Sequence, residues 1–552
     1  MKLEKMNKMK KIELRKKIIA SLGCSLLFIC INGCKSTELS ESFELPDYTI
    51  EDVKKEEIKR IEEIGETDCV QAYWRAFLLK DQKTFEKCEE NVVSKYKKAI
   101  EEKKWLEARR FCYALEYLGG AQSKKLEKNT DELDSLCLEA LKSFGSDKNS
   151  GKKVSELIKG TVTVWVDKGI KVENGMGYAD RVIGSGFFIS KDGYIVTNHH
   201  VIADLVNPKY EGYVRLYVKL AEDSETRIPA KVVGWDSGVD LAVLKAEIDA
   251  PYVFNLGSSG SLEVGDKVYC IGSPIGLDRT LTSGIVSAVD RSLFSAGPVM
   301  QIDAAVNSGN SGGPCVDENG NVQAIVFAGI LQYSGLNFAI PVEYLISELP
   351  VLLNGGKYDH SWLEANGRTK RVGGRDLGVE LNYVMPGGNA HRIGLKAGDL
   401  ITSIEGSAIK NLEDLKKKML GISSGFIIKV KYLRGEDLEE NEVKVYVSSR
   451  PLNPGYIFYK NDVISSSFTA IFGMKLTPLS EGRRKYQIET VVKGSIADES
   501  GFSENDPVEI KNINFDKENT TLYTEIYAKN RKKGYLDINV GIAAPLDSPN
   551  YF

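Results

Sequence analysis

The chain holds four histidines in 552 residues, so any general base of the imidazole type has few places to sit. Its nine cysteines form no CxxC pair and no Cys/His metal spacing; no metal and no cofactor is expected. Neither sign of charge dominates: Lys plus Arg number 73 against 77 for Asp plus Glu, a net charge of −4. That removes the electrostatic ground for a nucleic-acid partner. No apolar run reaches the ~20 residues that span a bilayer comfortably. Gly and Pro are nearly missing between residues 51 and 141, which excludes a turn-rich β region there.

What is present begins with an export signal. Met1 to Lys17 is basic, Ile18 to Ile31 is apolar, and Asn32-Gly33-Cys34 follows. Residues 1–33 have the order of a secretion signal. Ile31-Asn32-Gly33-Cys34 resembles a bacterial lipobox, which implies diacylation of Cys34, although Asn32 is unusual inside that box. An uncleaved anchor is the alternative. Either way the remainder lies outside the cytoplasm, tethered to a membrane, and residues 34–50 form a polar tether.

A length of 552 residues is too great for one core and suggests three to five domains. Residues 51–146 carry helical periodicity, with Tyr73, Ala76 and Phe77, then Trp105, Ala108, Phe111, Leu115 and Leu118 on repeating faces. The region reads either as a TPR-like unit or as a plain bundle. Residues 153–352 change to short strands between Gly and Asp turns, the pattern of a barrel or sandwich. A polar, Gly-containing break at 354–375 separates this from two similar segments, 371–450 and 456–545. In the second copy Asn505 stands where the first has Gly398, a sensible exchange because Asn tolerates left-handed backbone better than most residues. Cys270 and Cys315 lie in apolar strand contexts and read as buried free thiols.

The chemistry concentrates in the strand-rich region. Small and turn-forming residues flank Ser311 in Asn307-Ser308-Gly309-Asn310-Ser311-Gly312-Gly313-Pro314. Such a turn can aim consecutive N–H groups into one concavity that holds an oxyanion. A serine nucleophile needs a base. With His360 in the polar break and His391 in a later domain, His199 and His200 remain, after the strand Tyr194–Thr197. Asp240 stands in the apolar run Val239-Asp240-Leu241-Ala242-Val243-Leu244, where burial demands a hydrogen-bonding partner. Asp236, in the turn Trp235-Asp236-Ser237-Gly238, reads as solvent-facing. The order His200, Asp240, Ser311 is that of chymotrypsin-type enzymes.

These stretches, with Gly184-Ser185-Gly186-Phe187, Thr197-Asn198-His199-His200-Val201, Gly272-Ser273-Pro274-Ile275-Gly276 and Phe338-Ala339-Ile340-Pro341, resemble the protease domain of the HtrA/DegP family. The resemblance implies two six-stranded β-barrels with the triad His200, Asp240 and Ser311 between them. It makes His200 the base and the N–H groups of Gly309 and Ser311 the oxyanion donors. His199, Ser308 and Asn337 depart from the family pattern; Asn337 stands where a Gly is usual, near the specificity pocket.

Residues 371–450 resemble a PDZ domain, which makes Leu377-Gly378-Val379 the carboxylate-binding loop and Asn411–Leu420 the helix beside the groove. The segment 456–545 is a second, degenerate PDZ-like domain. The fold class is thus multidomain: an all-α region, a chymotrypsin-like double barrel, one α+β PDZ domain and a degenerate copy. The resemblance implies a serine endopeptidase acting on misfolded or damaged exported proteins. The expected partners are peptide C-termini, a membrane through Cys34, and further copies of the chain as a trimer or larger assembly. An envelope holdase or peptide-binding scaffold with latent activity is the competing reading.

Overall fold

The computed structural model describes residues 43–142, 144–145, 154–223, 225–273, 280–291, 297–307, 309–329, 336–479, 484–530 and 536–552. The signal segment, Cys34, Ser308 and Pro274–Gly276 lie outside the described residues.

Five helices open the described chain: α1 (Glu51–Thr67), α2 (Cys69–Leu79), α3 (Gln82–Glu101), α4 (Trp105–Leu118) and α5 (Thr130–Leu141). Their starts are built from side chains. Asp68 accepts from the N–H groups of Val70 and Gln71 at the head of α2, and Asn129 with Glu132 makes a reciprocal capping box on α5. Tyr73, Trp74, Val92, Tyr96 and Leu115 fill the core between them.

The strand-rich region folds into two barrels. The first uses β1 (Thr161–Glu173), β2 (Met176–Phe188), β3 (Tyr194–Thr197), β4 (Arg215–Lys219), β5 (Ile228–Asp236) and β6 (Leu241–Ala246), closed by the β5–β6 pairing. A short helix, α6 (His199–Val206), leaves the end of β3. The second barrel closes through β7 (Lys267–Gly272), β8 (Thr280–Arg291), β9 (Val299–Ile302), β10 (Pro314–Val316), β11 (Val322–Gly329) and β12 (Asn337–Pro341). Each has its own interior, and a further apolar layer between them includes Phe187, Val243, Ile271 and Ile325. Cys270 and Cys315 face each other across β7 and β10 as buried free thiols. After β12 comes α7 (Val342–Asn354), which packs into the interbarrel layer through Leu345 and Leu349.

The polar break expected at 354–375 is built structure instead. β13 (Gly356–Lys357) adds parallel to β5, β14 (Ser361–Trp362) pairs with β21 (Ser448–Ser449), and β15 (Ala365–Val372) pairs with β16 (Arg375–Val384). The cause is Tyr358, Trp362, Leu363 and Ala365, buried residues interleaved with Gly, Lys and Asp that mask them in composition. The first PDZ sheet therefore begins in β15, and the expected start at 371 falls inside that strand. Its order is β15-β16-β17-β19-β20, using β17 (Leu400–Ile404), β19 (Ile427–Arg434) and β20 (Glu439–Tyr446). The short α8 (Asn389–Arg392) precedes β17, β18 (Ser407–Ala408) pairs with it, and α9 (Leu412–Leu420), capped by Asn411, lies against the sheet.

The second copy follows α10 (Pro454–Asn461) and α11 (Ile464–Ile471). It comprises β22 (Met474–Pro478), β23 (Lys485–Val491), α12 (Ile496–Glu499), β24 (Pro507–Phe515), β25 (Thr521–Asn530) and β26 (Leu536–Pro545). The duplication is visible in hydrogen bonds. Gly398 and Asn505 both have left-handed φ, +92° and +68°. Gly398 N–H donates to Leu381 O at 2.8 Å, as Asn505 N–H does to Ile488 O at 2.8 Å. The copies differ where α9 would recur: β24 turns directly into β25 through residues 516–520.

The helical region is bolted to the first PDZ domain. Trp74 Nε1 donates to Lys444 O at 2.7 Å, Arg110 Nε to Gly425 O at 2.7 Å, and Tyr117 OH to Glu405 at 2.5 Å. Ile427 and Tyr446 of the PDZ sheet belong to the helical core.

Candidate active site

The site lies where the two barrels meet. β3 delivers Asn198 as the residue before α6, and His200 is the second residue of that helix. Asp240 is the last residue of the turn between β5 and β6, one position before the strand that was expected to hold it. Its φ is +62°, a left-handed conformation that Asp tolerates better than most residues. Both ends of Asp240 grip the 198–200 segment. Its carbonyl accepts from Asn198 Nδ2 at 2.8 Å and from His199 N–H at 3.3 Å. Its carboxylate accepts from His200 N–H at 2.7 Å and meets His200 Nδ1 at 2.7 Å. The Asp240 side chain is 14% exposed and the His200 ring 47%. One face of the imidazole is thus fixed and the other is open. His199 turns inward, and burial lowers its pKa below the ordinary histidine value.

Ser311 comes from the second barrel, in the turn before β10. Gly309 and Gly312 adopt φ of +103° and +85°. A Cβ on Gly312 would come within 2.4 Å of Thr197 Oγ1, so both backbone conformation and space require glycine there. The turn is sewn to β2. Ser185 N–H donates to Ser311 O at 2.7 Å and Ser185 Oγ to Gly309 O at 2.6 Å. The amides of Asn310, Gly312 and Gly313 donate to Asn307 O, Val326 O and Asn310 O. Among the described residues, the N–H groups of Gly309 and Ser311 donate to no protein oxygen. The Ser311 hydroxyl donates to Phe327 O at 3.1 Å, and among the described residues it makes no hydrogen bond to His200. Asn337 is buried, its Nδ2 donating to Ala304 O at 2.7 Å, which ties β12 to the chain after β9.

A second His–Asp pair was missed by sequence reasoning. Asp236, expected at the surface, is 1% exposed and meets His360 Nε2 at 2.7 Å. Its other oxygen accepts from Gly238 N–H at 2.6 Å, within the turn that ends in Asp240. Glu348 of α7 completes the cluster, with one ligand atom from each residue within 4.8 Å. Burial, then the neighbouring Asp236 charge, raises the Glu348 pKa well above the ordinary carboxyl value. The cluster could offer three ligands to a cation, but its closest pair is a hydrogen bond. Two ligands ~2.1 Å from one tetrahedral ion would stand about 3.4 Å apart. The signal that could have found it is His360 itself, one of only four histidines.

The proposed carboxylate loop is not where the sequence placed it. Gly378 and Val379 lie inside β16, paired with Lys370 and Thr369 on one side; on the other Val379 pairs with Ile401. At Val379 and Glu380 both flanks of that strand are paired, so it is internal to the sheet there. The edge strand of this sheet beside α9 is β15.

Comparison with known proteins follows this division. Residues 184–325 match the trypsin-like peptidase domain, 367–445 the PDZ domain, 455–546 the TP0546 family PDZ domain, and 52–137 a domain of unknown function, DUF8517. A probable periplasmic serine endoprotease, DegP-like, of Halomonas elongata is 35% identical over 340 residues, covering 58% of this chain and 68% of that protein. The protein of the same description from Hahella chejuensis is 37% identical over 283 residues, 49% of this chain and 57% of its own length. The chain thus spans between about half and two thirds of these relatives. The solved structure of the HtrA-type protease AlgW with decapeptide aligns with 54% of this chain and 98% of its own, at 26% identity and a TM-score of 0.44.

Proposed function

The chain belongs to the HtrA/DegP family of trypsin-like serine endoproteases with PDZ domains, and from that membership we propose that it is an envelope endopeptidase cutting misfolded or damaged exported proteins through Ser311, His200 and Asp240. The observation that carries the reading is the double grip of Asp240 on the 198–200 segment. With Nδ1–H donated to Asp240, the Nε2 lone pair of His200 is free to accept a proton. Ser311 gives up that proton as its oxygen bonds to the scissile carbonyl carbon. The carbonyl oxygen becomes an oxyanion held by the N–H groups of Gly309 and Ser311. Collapse expels the amine, which takes the proton from His200, and leaves an acyl-enzyme. Water, deprotonated by His200, then releases the carboxylic acid and restores Ser311. Cys34 carries the lipid that tethers the enzyme on the outer side of a membrane, and copies associate as a trimer or larger.

The direction of the Ser311 hydroxyl favours a latent resting state. It donates to Phe327 O, so a rotation toward His200 Nε2 must precede chemistry. Casein digestion tests both points, with and without added C-terminal peptides. Ser311→Ala is expected to abolish digestion under every condition while keeping the wild-type urea midpoint. Equal digestion by the variant and the wild type would sink the assignment.

A further inference from the structure

The edge strand of the first PDZ sheet is already covered. Residues 550–552 lie antiparallel along β15, with Asn366 bridged to Tyr551. Ala365 N–H donates to Phe552 O at 3.1 Å, Phe552 N–H to Ala365 O at 3.1 Å, and Gly367 N–H to Asn550 O at 3.2 Å. Phe552 is 4% exposed and belongs to the PDZ core with Leu363, Leu415 and Met419. Its ring sits beside Gly367, where an added Cβ would come within 2.9 Å of it. Tyr551 is equally buried, edge-on to Phe458 at 5.4 Å between centroids. Upstream, Asp547 pairs with Arg450 at 2.6 Å, and Leu546 is buried in the second PDZ core.

Addition of an extended segment to a sheet edge, with alternate side chains in pockets, is how peptide-binding sheets take their ligands. We propose that residues 547–552 are an internal ligand of the first PDZ domain. They close its β15–α9 groove to other peptides, and the groove selects segments carrying paired aromatics like Tyr551-Phe552. This rests on reading that domain as a peptide binder and on no chemistry at Ser311. A tethered ligand acts at an effective concentration of about 1 mM, so an internal segment with an intrinsic Kd of about 10 μM weakens an outside peptide about 100-fold. The second PDZ copy, through β26 and Leu546, is then the arm that presents the internal ligand. That assigns work to a domain whose described residues pass from β24 directly into β25 where the first copy has α9.

The test is binding of a fluorescent octapeptide, Pro-Leu-Asp-Ser-Pro-Asn-Tyr-Phe, to the full chain in a Ser311→Ala background. Deletion of residues 547–552 and, separately, Phe552→Asp are each expected to tighten binding at least tenfold. Equal, measurable affinity for all three chains overturns the internal-ligand inference and leaves the domain a peptide binder. No binding to any of them, with cooperative urea transitions intact, overturns both. Should either variant fail to fold, hydrogen exchange of the otherwise unaltered Ser311→Ala chain decides. The Ala365 and Gly367 amides must be protected in the free chain, and exchange at the rate of an exposed strand edge overturns the inference.

Discussion

His200–Asp240 and His360–Asp236 have the same contact, an imidazole nitrogen 2.7 Å from a carboxylate oxygen. Their surroundings differ in every other respect. The first pair is open on one side, with the ring about half exposed, and lies beside the Ser311 turn. The second is closed: Asp236 is almost wholly buried, Glu348, whose pKa burial raises, stands against it, and the ring packs edge-on to Tyr358 at 5.0 Å. A His–Asp contact is therefore no signature of catalysis by itself. Exposure of the ring and closeness of the 198–200 segment to the Ser311 turn distinguish them. The two are also linked, because Asp236 holds Gly238 N–H in the turn that sets Asp240, and the His360 backbone is tied to the first PDZ domain through Arg450 N–H at 2.9 Å.

The comparison can be broken by substitutions matched between the pairs. Asp240→Asn has the largest expected effect. It can present an amide N–H to Nδ1 and so favour the wrong tautomer. Casein digestion is expected to fall about 10⁴-fold, the scale seen for the same change in a triad, with little loss of stability. A loss under tenfold would remove Asp240 from the catalytic account. His360→Ala comes next and acts oppositely. It strands a buried carboxylate, which costs about 3 kcal/mol and lowers the urea midpoint. Activity measured well below that midpoint should fall far less than for Asp240→Asn. A stable but inactive His360→Ala chain would erase the distinction drawn between the pairs.

The smallest effect belongs to Glu348→Gln. The folded chain raises this carboxyl's pKa, so its proton is kept on folding and lost on unfolding. Its contribution is fully present below the unfolded value near 4.5 and is lost as pH rises toward the folded value. The wild type should lose stability relative to Glu348→Gln above about pH 5, by at most about 1.4 kcal/mol per pH unit. Parallel stability profiles from pH 4 to 8 would contradict the raised pKa.

How far the sequence carried the account depends on whether information was local. Ser311 and His200 could be nominated because a Gly-rich turn and a shortage of histidine are local facts. Asp240 was nominated as the partner of His200, which it contacts, for a reason only partly right. It owes its place to a left-handed turn before β6, although its carboxylate does need the histidine. Asp236 was misread because Trp235-Asp236-Ser237-Gly238 looks like a surface turn. Its burial comes from Glu348 and His360, more than a hundred residues away. The PDZ loop was misplaced for a similar reason: Leu377-Gly378-Val379 has the right residues, but only the pairing with β15 and β17 shows that the strand is internal. The docking of Asn550-Tyr551-Phe552 on β15 left no periodic trace at all, since three residues are too few to carry one.

The central claim is that Ser311 is a nucleophile served by His200 and not by His360. A fluorophosphonate probe, with the modified residue located by mass spectrometry, tests it directly in wild type, Ser311→Ala, His200→Ala and His360→Ala, each with activating peptide present. Labelling at Ser311 in the wild type and in folded His360→Ala, with none in Ser311→Ala and at least a hundredfold slower labelling in His200→Ala, is the expected outcome. Labelling of His200→Ala at the wild-type rate, or of a residue other than Ser311, would contradict it.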